Sequence, residues 1–318
     1  MLSFIVRRLF QAVIILILVS LLVFFAMRLL PGDPILLLVT SNQKAEFTEQ
    51  QIKDLRHEYG LDRPIIVQYI DWIGGVLRGD LGDSISYKTP VGPEMIKRFR
   101  VSLHLGLLSF IIGNIVGIPM GVIAAIRRSK WIDSVVTVLS NIGITVPNFW
   151  FGMILIYVFG LHFRLLPTMG YTSPTTDFWL STKQIIMPLA CLSLFPIAGT
   201  ARQARSSLLE VMHQDYIRTA WSKGLAERVI VFRHALKNGI IPVITLAGMQ
   251  LSMIIGGQVL IEMVFNIPGM GRLLVASVNN QDYPYVQGII LLIAAVVVFV
   301  NLIVDLTYGW LDPRVRYG

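Results

Sequence analysis

Six long segments of this chain contain no Lys, Arg, Asp or Glu: Leu9–Met27, Val101–Ile126, Ser134–Phe163, Gln184–Ala201, Gly239–Ile261 and Tyr283–Val304. A run of about 18 or more apolar residues is too long for a buried strand. As a helix rising ~1.5 Å per residue, it can cross ~30 Å of hydrocarbon. Composition excludes the alternative of one large soluble core. The chain is 54% hydrophobic and 14% charged, with mean hydropathy +0.67, against about 25% charged in soluble domains. In lipid each backbone group must bond within its own segment, so the spans are helices. The predicted fold class is an all-α integral membrane protein with six transmembrane helices.

Ser134–Phe163 is longer than a span needs and is expected to end near Tyr157–Leu161. Pro119, Pro147, Pro188 and Pro196 predict kinks, or helix ends nearby, rather than broken helices. Arg7 and Arg8 precede the first segment as in a signal peptide. Its apolar run is too long for one, however, and ends in "RLLPGDP" rather than a small-residue cleavage site. It reads as an uncleaved helix.

Net charge is +8, a sign that has to be mapped onto topology before it suggests nucleic acid, because membrane proteins concentrate Lys and Arg on the cytoplasmic side. With the N-terminus inside, the inner segments hold fourteen basic residues, including Arg127, Arg128, Lys130, Arg202, Arg205, Arg228, Arg233, Lys237, Arg314 and Arg316. The two short outer loops hold only Arg164, Lys183 and Arg272. Both termini are therefore expected in the cytoplasm, with residues 31–100 as a large extracytoplasmic segment. The single cysteine, Cys191, excludes an intrachain disulfide, and the five histidines show no pair at metal-ligand spacing.

Residues 31–100 carry helix signals of their own. Thr48 with Gln51 three residues later forms a capping-box pattern ahead of Ile52, Leu55 and Tyr59, and Gly60 is placed to end the helix. A second helix is expected over 64–78, with Asp62 near its cap and a broad apolar face that packs on the spans or also shapes an outer mouth for an external partner. "GDLGDS" (79–84) reads as a turn-rich connector.

Nucleotide and hydrolase motifs are missing: there is no G-x-x-x-x-G-K-[ST], no H-E-x-x-H and no G-x-S-x-G. The spans also lack the internal carboxylates and lysines on which proton- or sodium-driven carriers rely, which argues against a stand-alone secondary carrier. Glu262, Asp282 and Asp305 lie near span ends, where charge costs little. Asn114, Asn141 and Asn148 are polar groups in or near spans, suited to helix–helix hydrogen bonds or to lining a pathway. Gly113, Gly117 and Gly121 share one helix face, where another helix can approach closely. The chain reads as a conduit without its own engine: no catalytic residues, no bound cofactor and no metal.

The inner segment at about 202–238 offers a contact to such an engine. Asp215 is placed to cap a short helix from Tyr216 to Lys223, closed by Gly224, with Glu227 starting a second helix that returns to the membrane. Ala220 and Gly224, both small and four apart, would let a partner come close; Ile217 and Trp221 would add an apolar contact. The bland alternative is a positively charged loop facing lipid.

This segment resembles the cytoplasmic loop of the inner-membrane permeases of ATP-binding-cassette importers, which carries Glu-Ala-Ala, three residues, then Gly. Here Arg218-Thr219-Ala220 is followed by Trp221-Ser222-Lys223 and Gly224, so the last Ala and the Gly match and the Glu and first Ala do not. The wider pattern resembles the dipeptide/oligopeptide/nickel branch: "RSSLLEVMHQDYIRTA" (205–220), "HALKNGIIPVIT" (234–245), "FNIPGMGRL" (265–273), "QDYPYVQG" (281–288), "NLIVDLTYGWLDPRVR" (301–316), and upstream "PGDP" (31–34), "YGLDRPIIVQY" (59–69) and "GIPMGVIAA" (117–125). Ser102 and Val146 stand where Thr and Ser are expected, and Trp221 is bulkier than usual.

The resemblance implies a first helix at 1–30, an extracytoplasmic segment at 31–100 and a five-helix permease core at 101–318. It implies a prokaryotic plasma-membrane subunit paired with a second, similar permease. Two ATPase subunits would hold ATP and Mg, and an external solute-binding protein would deliver di- or oligopeptides; nickel or glutathione remain alternatives. Asp215, Tyr216, Ile217, Arg218, Thr219, Ala220, Trp221, Lys223 and Gly224 would form the coupling helix and its turn. Membrane lipid is a partner; nucleic acid is not.

Overall fold

A computed structural model describes residues 2–29, 32–41, 47–256 and 258–311. The described residues are helical apart from turns and one isolated bridge, Asp83 to Pro90. In chain order the helices are α1 (Leu2–Leu29), α2 (Pro34–Ser41), α3 (Glu49–Glu58), α4 (Ile65–Leu77), α5 (Val91–Ile126), α6 (Trp131–Thr145), α7 (Asn148–His162) and α8 (Phe178–Met212). They continue as α9 (Asp215–Ser222), α10 (Glu227–Gly239), α11 (Ile241–Gly256), α12 (Val259–Val264), α13 (Met270–Asn279) and α14 (Tyr283–Leu311). Both α7 and α10 contain π-helical turns, at Ile156–His162 and Ile230–Ala235. Among the described residues, four stretches are long and apolar enough to cross a membrane: Ile5–Leu29, Val91–Ile126, Phe178–Met212 and Tyr283–Thr307. Two bent pairs, α6 with α7 and α10 with α11, raise the number to as many as six.

The chain divides into two compact units, one of residues 2–102 and 268–302, the other of 103–267 and 303 onward. In the first unit, the Thr48 side chain accepts from the Gln51 backbone N–H and the Gln51 side chain returns to the Thr48 N–H, the capping box expected from sequence. Gly60 takes φ +63°, the left-handed turn that ends α3. Asp62 does not cap α4; Pro64 holds that position, and Asp62 instead accepts from His57 at 2.7 Å. Helix α4 turns Tyr69 and Trp72 onto the Phe24 ring, at 5.2 and 5.7 Å between centroids, while Ile66, Ile70 and Leu77 stay exposed.

Asp282 is fully buried rather than resting at a low-cost span end. It accepts from the Ser84 hydroxyl at 2.5 Å and from the Ser86 and Ile85 N–H groups at 3.1 and 3.4 Å. A buried carboxylate persists only when its lone pairs are filled; here Ser84, the last residue of "GDLGDS", and the two residues after it fill them across almost two hundred residues of sequence.

In the second unit, the glycine face of α5 packs against α8. An added Cβ at Gly113, Gly117 or Gly121 would lie 2.4 Å from Pro196 Cβ, 2.8 Å from Ile197 O and 2.3 Å from Ala201 O. Only a missing side chain permits that approach. Pro119, Pro188 and Pro196 remain inside continuous helices, as expected.

The third segment departs from its expectation: α6 and α7 meet at 101°, a break rather than a kink. Pro147 lacks an N–H and disfavours the helical region for the residue before it. Val146 is accordingly extended (φ −71°, ψ 125°), and Pro147 becomes the N-cap of α7. The fifth segment, read as one helix, is α11 followed by the separate α12; Gly257 between them lies outside the described residues. So do Pro31 of "PGDP" and Arg314 and Arg316.

Candidate coupling element and polar sites

Helix α9 has eight residues, too short to hold itself together in water. Its stability has to come from what it packs on. Ile217, fully buried, and Ala220, 6% exposed, insert into a cluster formed by Val122, Ala125, Leu208, Ile230, Val231 and Ala235. The helix thus rests on the ends of α5 and α8 and on the start of α10. Asn238 of α10 donates to the Tyr216 hydroxyl at 2.8 Å, a second tie.

The C-terminus of α9 is closed by a Schellman turn. Gly224 at φ +74° donates to Trp221 O at 2.9 Å, and Leu225 donates to Ala220 O at 3.4 Å. An added Cβ at Gly224 would meet nothing, so glycine is required there by backbone conformation and not by space. The N-cap is Gln214, not Asp215. Asp215 is the first helical residue, where its charge suits the helix dipole, and its exposed carboxylate lies 3.5 Å from Arg218.

Two contacts expected from spacing are therefore reversed. Ala220 and Ile217 face this chain's own core and cannot also offer a surface to a partner. The outward face consists of Tyr216, Arg218, Thr219, Trp221, Ser222 and Lys223, with Tyr216 and Trp221 43% and 44% exposed.

A second feature near this element was not legible in sequence. Asp133 in the first turn of α6 is buried, and Arg205 of α8 grips it with both arms, Nε to Oδ1 at 2.6 Å and Nη2 to Oδ2 at 2.9 Å. The Ser129 N–H completes the site at 3.0 Å, from a residue held at φ +62°. Arg205, counted above only as a cytoplasmic charge, thus fixes the α5–α6 turn to α8 about two turns before α8 ends.

Among the described residues no hydrogen bond joins any two of the three asparagines. Asn114 is half-buried and donates to Phe110 O of its own helix at 2.9 Å. Asn141 is exposed and Asn148 half-buried, on either side of the Val146–Pro147 break. Thr200 of α8 and Gln250 of α11, both buried, share a hydrogen bond at 3.3 Å that sequence reading missed. Among the described residues no group of three His, Cys, Asp or Glu is arranged to hold a metal.

The described residues thus combine long apolar helices with a braced amphipathic helix whose outer face this chain leaves uncovered. Residues 117–317 match the family described as "Binding-protein-dependent transport system inner membrane component", and residues 1–102 match the corresponding N-terminal family. The chain belongs to this family: it is an inner-membrane permease of the ABC transporter type. It is 40% identical over 314 residues to the "Probable peptide ABC transporter permease protein y4tP" of Sinorhizobium fredii (strain NBRC 101917 / NGR234), covering 99% of each chain. It is 37% identical over 340 residues to the "Dipeptide transport system permease protein DppB" of Escherichia coli (strain K12), covering 100% of this chain and 99% of that protein. Among solved structures it is similar in fold to the inward-facing MetNI methionine ABC transporter, with TM-score 0.55, 16% identity, and 69% and 96% of the two chains covered.

Proposed function

We propose that this permease translocates di- or oligopeptides handed over by an external solute-binding protein. It works beside a second, similar permease, by alternating access driven by two cytoplasmic ATPase subunits that hold ATP and Mg. The observation that carries the substrate class is similarity along the whole chain to proteins named for peptide and dipeptide transport. In this reading the chain has six spans with both termini in the cytoplasm, residues 31–100 face outward, and residues 101–318 form the core with its coupling loop at 202–238.

Helix α9 is the coupling helix of the proposal. Its buried side transmits force: Ile217 and Ala220 seat it on α5, α8 and α10, so displacing α9 displaces those helices. Its exposed side, Tyr216, Arg218, Thr219, Trp221 and Lys223, enters the ATPase, with Asp215 and the Gly224 turn at its two ends. A stiff connector on a bistable helix bundle is what alternating access needs mechanically. Asn114, Asn141 and Asn148 are the polar groups of this reading that line the pathway or pack helices.

The test is reconstitution in lipid vesicles with the cognate ATPases, second permease and binding protein. Uptake of a labelled dipeptide that depends on ATP and on the binding protein supports the reading. ATP-dependent uptake of nickel or glutathione with none of peptide contradicts the substrate class.

A further inference from the structure

Helix α4 lies in residues 31–100, expected from sequence to be outside the membrane, yet it packs along the first span. Gln68 of α4 accepts from Arg28 Nε at 2.9 Å, and one turn later the Trp72 ring meets the Phe24 ring at 5.7 Å. One turn forward on α4 thus matches one turn back on α1, so the two helices run antiparallel. With Leu29 ending the apolar stretch Ile5–Leu29, Phe24 lies ~7.5 Å inside that end and Ser20 ~13.5 Å inside it. The Tyr69 hydroxyl is bonded to Ser20 Oγ at 2.9 Å. Val76 and Leu77 border the same groove as Val13, Leu16 and Ile17. Helix α4 therefore descends beside α1 to the depth of the hydrocarbon.

The polar atoms at this contact are satisfied as hydrocarbon demands. The buried Ser20 hydroxyl donates to Ile17 O at 2.8 Å and so accepts from Tyr69. The rest of α4 divides by chemistry. Ile66, Ile70, Ile73 and Leu77 recur at i, i+4, i+7 and i+11, one apolar stripe. Ile66, Ile70 and Leu77 are 69%, 59% and 83% exposed. Asp71 and Gly75 instead border a cavity of about 340 Å³ that Glu58, Asp80 and Asp83 also line. Carboxylates need water or partners, so α4 stands between a wet cavity and whatever covers its stripe.

Two observations identify that cover. The stripe carries no charged or hydrogen-bonding side chain. It also continues the exposed apolar surface of α1, formed by Leu18, Leu22, Phe25 and Leu29, which reaches α4 where the Phe25 ring stacks on Tyr69 at 6.4 Å. An apolar surface continuous with a span, and at the depth of that span, is covered by hydrocarbon. A helix meets its own backbone hydrogen bonds, so it can enter lipid without crossing it.

We propose that α4 is a re-entrant helix of the outer leaflet, its Ile66, Ile70 and Leu77 stripe laid against phospholipid acyl chains. The proposal rests on Ile5–Leu29 crossing the membrane with Leu29 outward, and is independent of the transported substrate.

The experiment uses the assembled transporter in lipid vesicles, with Ile66→Cys, Ile70→Cys or Leu77→Cys carrying a spin label; the buried Cys191 does not compete. Power saturation compares collisions with oxygen, which concentrates in hydrocarbon, and with a nickel chelate confined to water. Leu22→Cys on α1 is the lipid reference and Lys53→Cys on α3 the water reference, both at exposed positions. Gel-filtration profiles matching the parent show that the variants fold. Labels at 66, 70 and 77 should favour oxygen as Leu22→Cys does, increasingly from 66 to 77 as α4 descends, while Lys53→Cys favours nickel. Nickel access at 66, 70 and 77, with Leu22→Cys still in lipid, would overturn the embedding of α4 alone. Low collision with both reagents there would overturn lipid as the cover and point to a protein subunit. Nickel access at Leu22→Cys as well would overturn the span, and the proposal with it.

Discussion

Replacing Ile217 by Ala removes three carbons from a fully buried side chain. At about 0.8 kcal/mol per buried methylene the transfer loss is ~2.4 kcal/mol, and the cavity left behind brings Ile→Ala substitutions to roughly 2–5 kcal/mol. For most residues such a loss is spread over a large cooperative unit. Here it falls on an eight-residue helix whose only buried residues are Ile217 and Ala220. A loss of ~3 kcal/mol therefore raises the open population of α9 about a hundredfold. Amide hydrogen exchange of the chain in lipid discs reads this directly: amides 219–225 should exchange ~100-fold faster, while the interior of α8 keeps its protection. In the reconstituted transporter the ATPases should still hydrolyse ATP and peptide uptake should fall, because the connector has softened. Unchanged exchange in α9, or equal acceleration throughout α5 and α8, would refute the seating of α9 on Ile217.

Asp133→Ala leaves the Arg205 guanidinium without its fork; with Arg205 about one-third exposed, the loss is expected at ~1–3 kcal/mol, below the range for fully buried pairs, and a thermal melt of the purified chain measures it. Gly121→Val places side-chain atoms where even a Cβ would stand 2.3 Å from Ala201 O, so α5 and α8 must separate; the expected result is a folding yield well below that of the equivalent change at Gly92, which has open space. Asp282→Ala orphans the Ser84 hydroxyl and two backbone N–H groups, and limited proteolysis should then cut within 84–90 in the variant before it does in the parent. The His57 hydrogen bond holds the Asp62 carboxyl below its ordinary range. Any stabilisation from that pair is present above the ordinary aspartate value and is lost as pH falls through the lowered one. Protection of the α3 end against proteolysis should follow that sign and vanish in His57→Asn.

Local rules read some elements well. The Thr48–Gln51 box, the Gly60 stop and the left-handed turn at Gly224 depend on residues a few positions apart, so they are written in short stretches of sequence. The glycine face of α5 was equally readable, because three small residues at i, i+4 and i+8 lie on one face and let a neighbouring helix approach closely. The α6–α7 break was hidden because a continuous apolar run carries no polar mark of a turn, and Pro147 alone is compatible with both a kink and a break. The orientation of α9 was misread for a related reason. Small residues four apart permit close approach by any neighbour, and spacing does not tell the chain's own core from a partner. Asp282 and Asp133 were missed because their donors, Ser84 and Arg205, lie far away in sequence, and charge near a span end reads the same whether solvated or buried.

The central claim is that one face of α9 seats in this chain and the opposite face enters the ATPase. The only native cysteine, Cys191, is buried, so introduced thiols report alone. Single cysteines at Thr219, Ala220 and Trp221 should be treated with a short thiol–amine cross-linker in the assembled transporter. The account predicts linkage to the ATPase subunit from Thr219→Cys and Trp221→Cys and none from Ala220→Cys. Linkage from Ala220→Cys, or free alkylation at positions 219 and 221 in the full assembly, would contradict it.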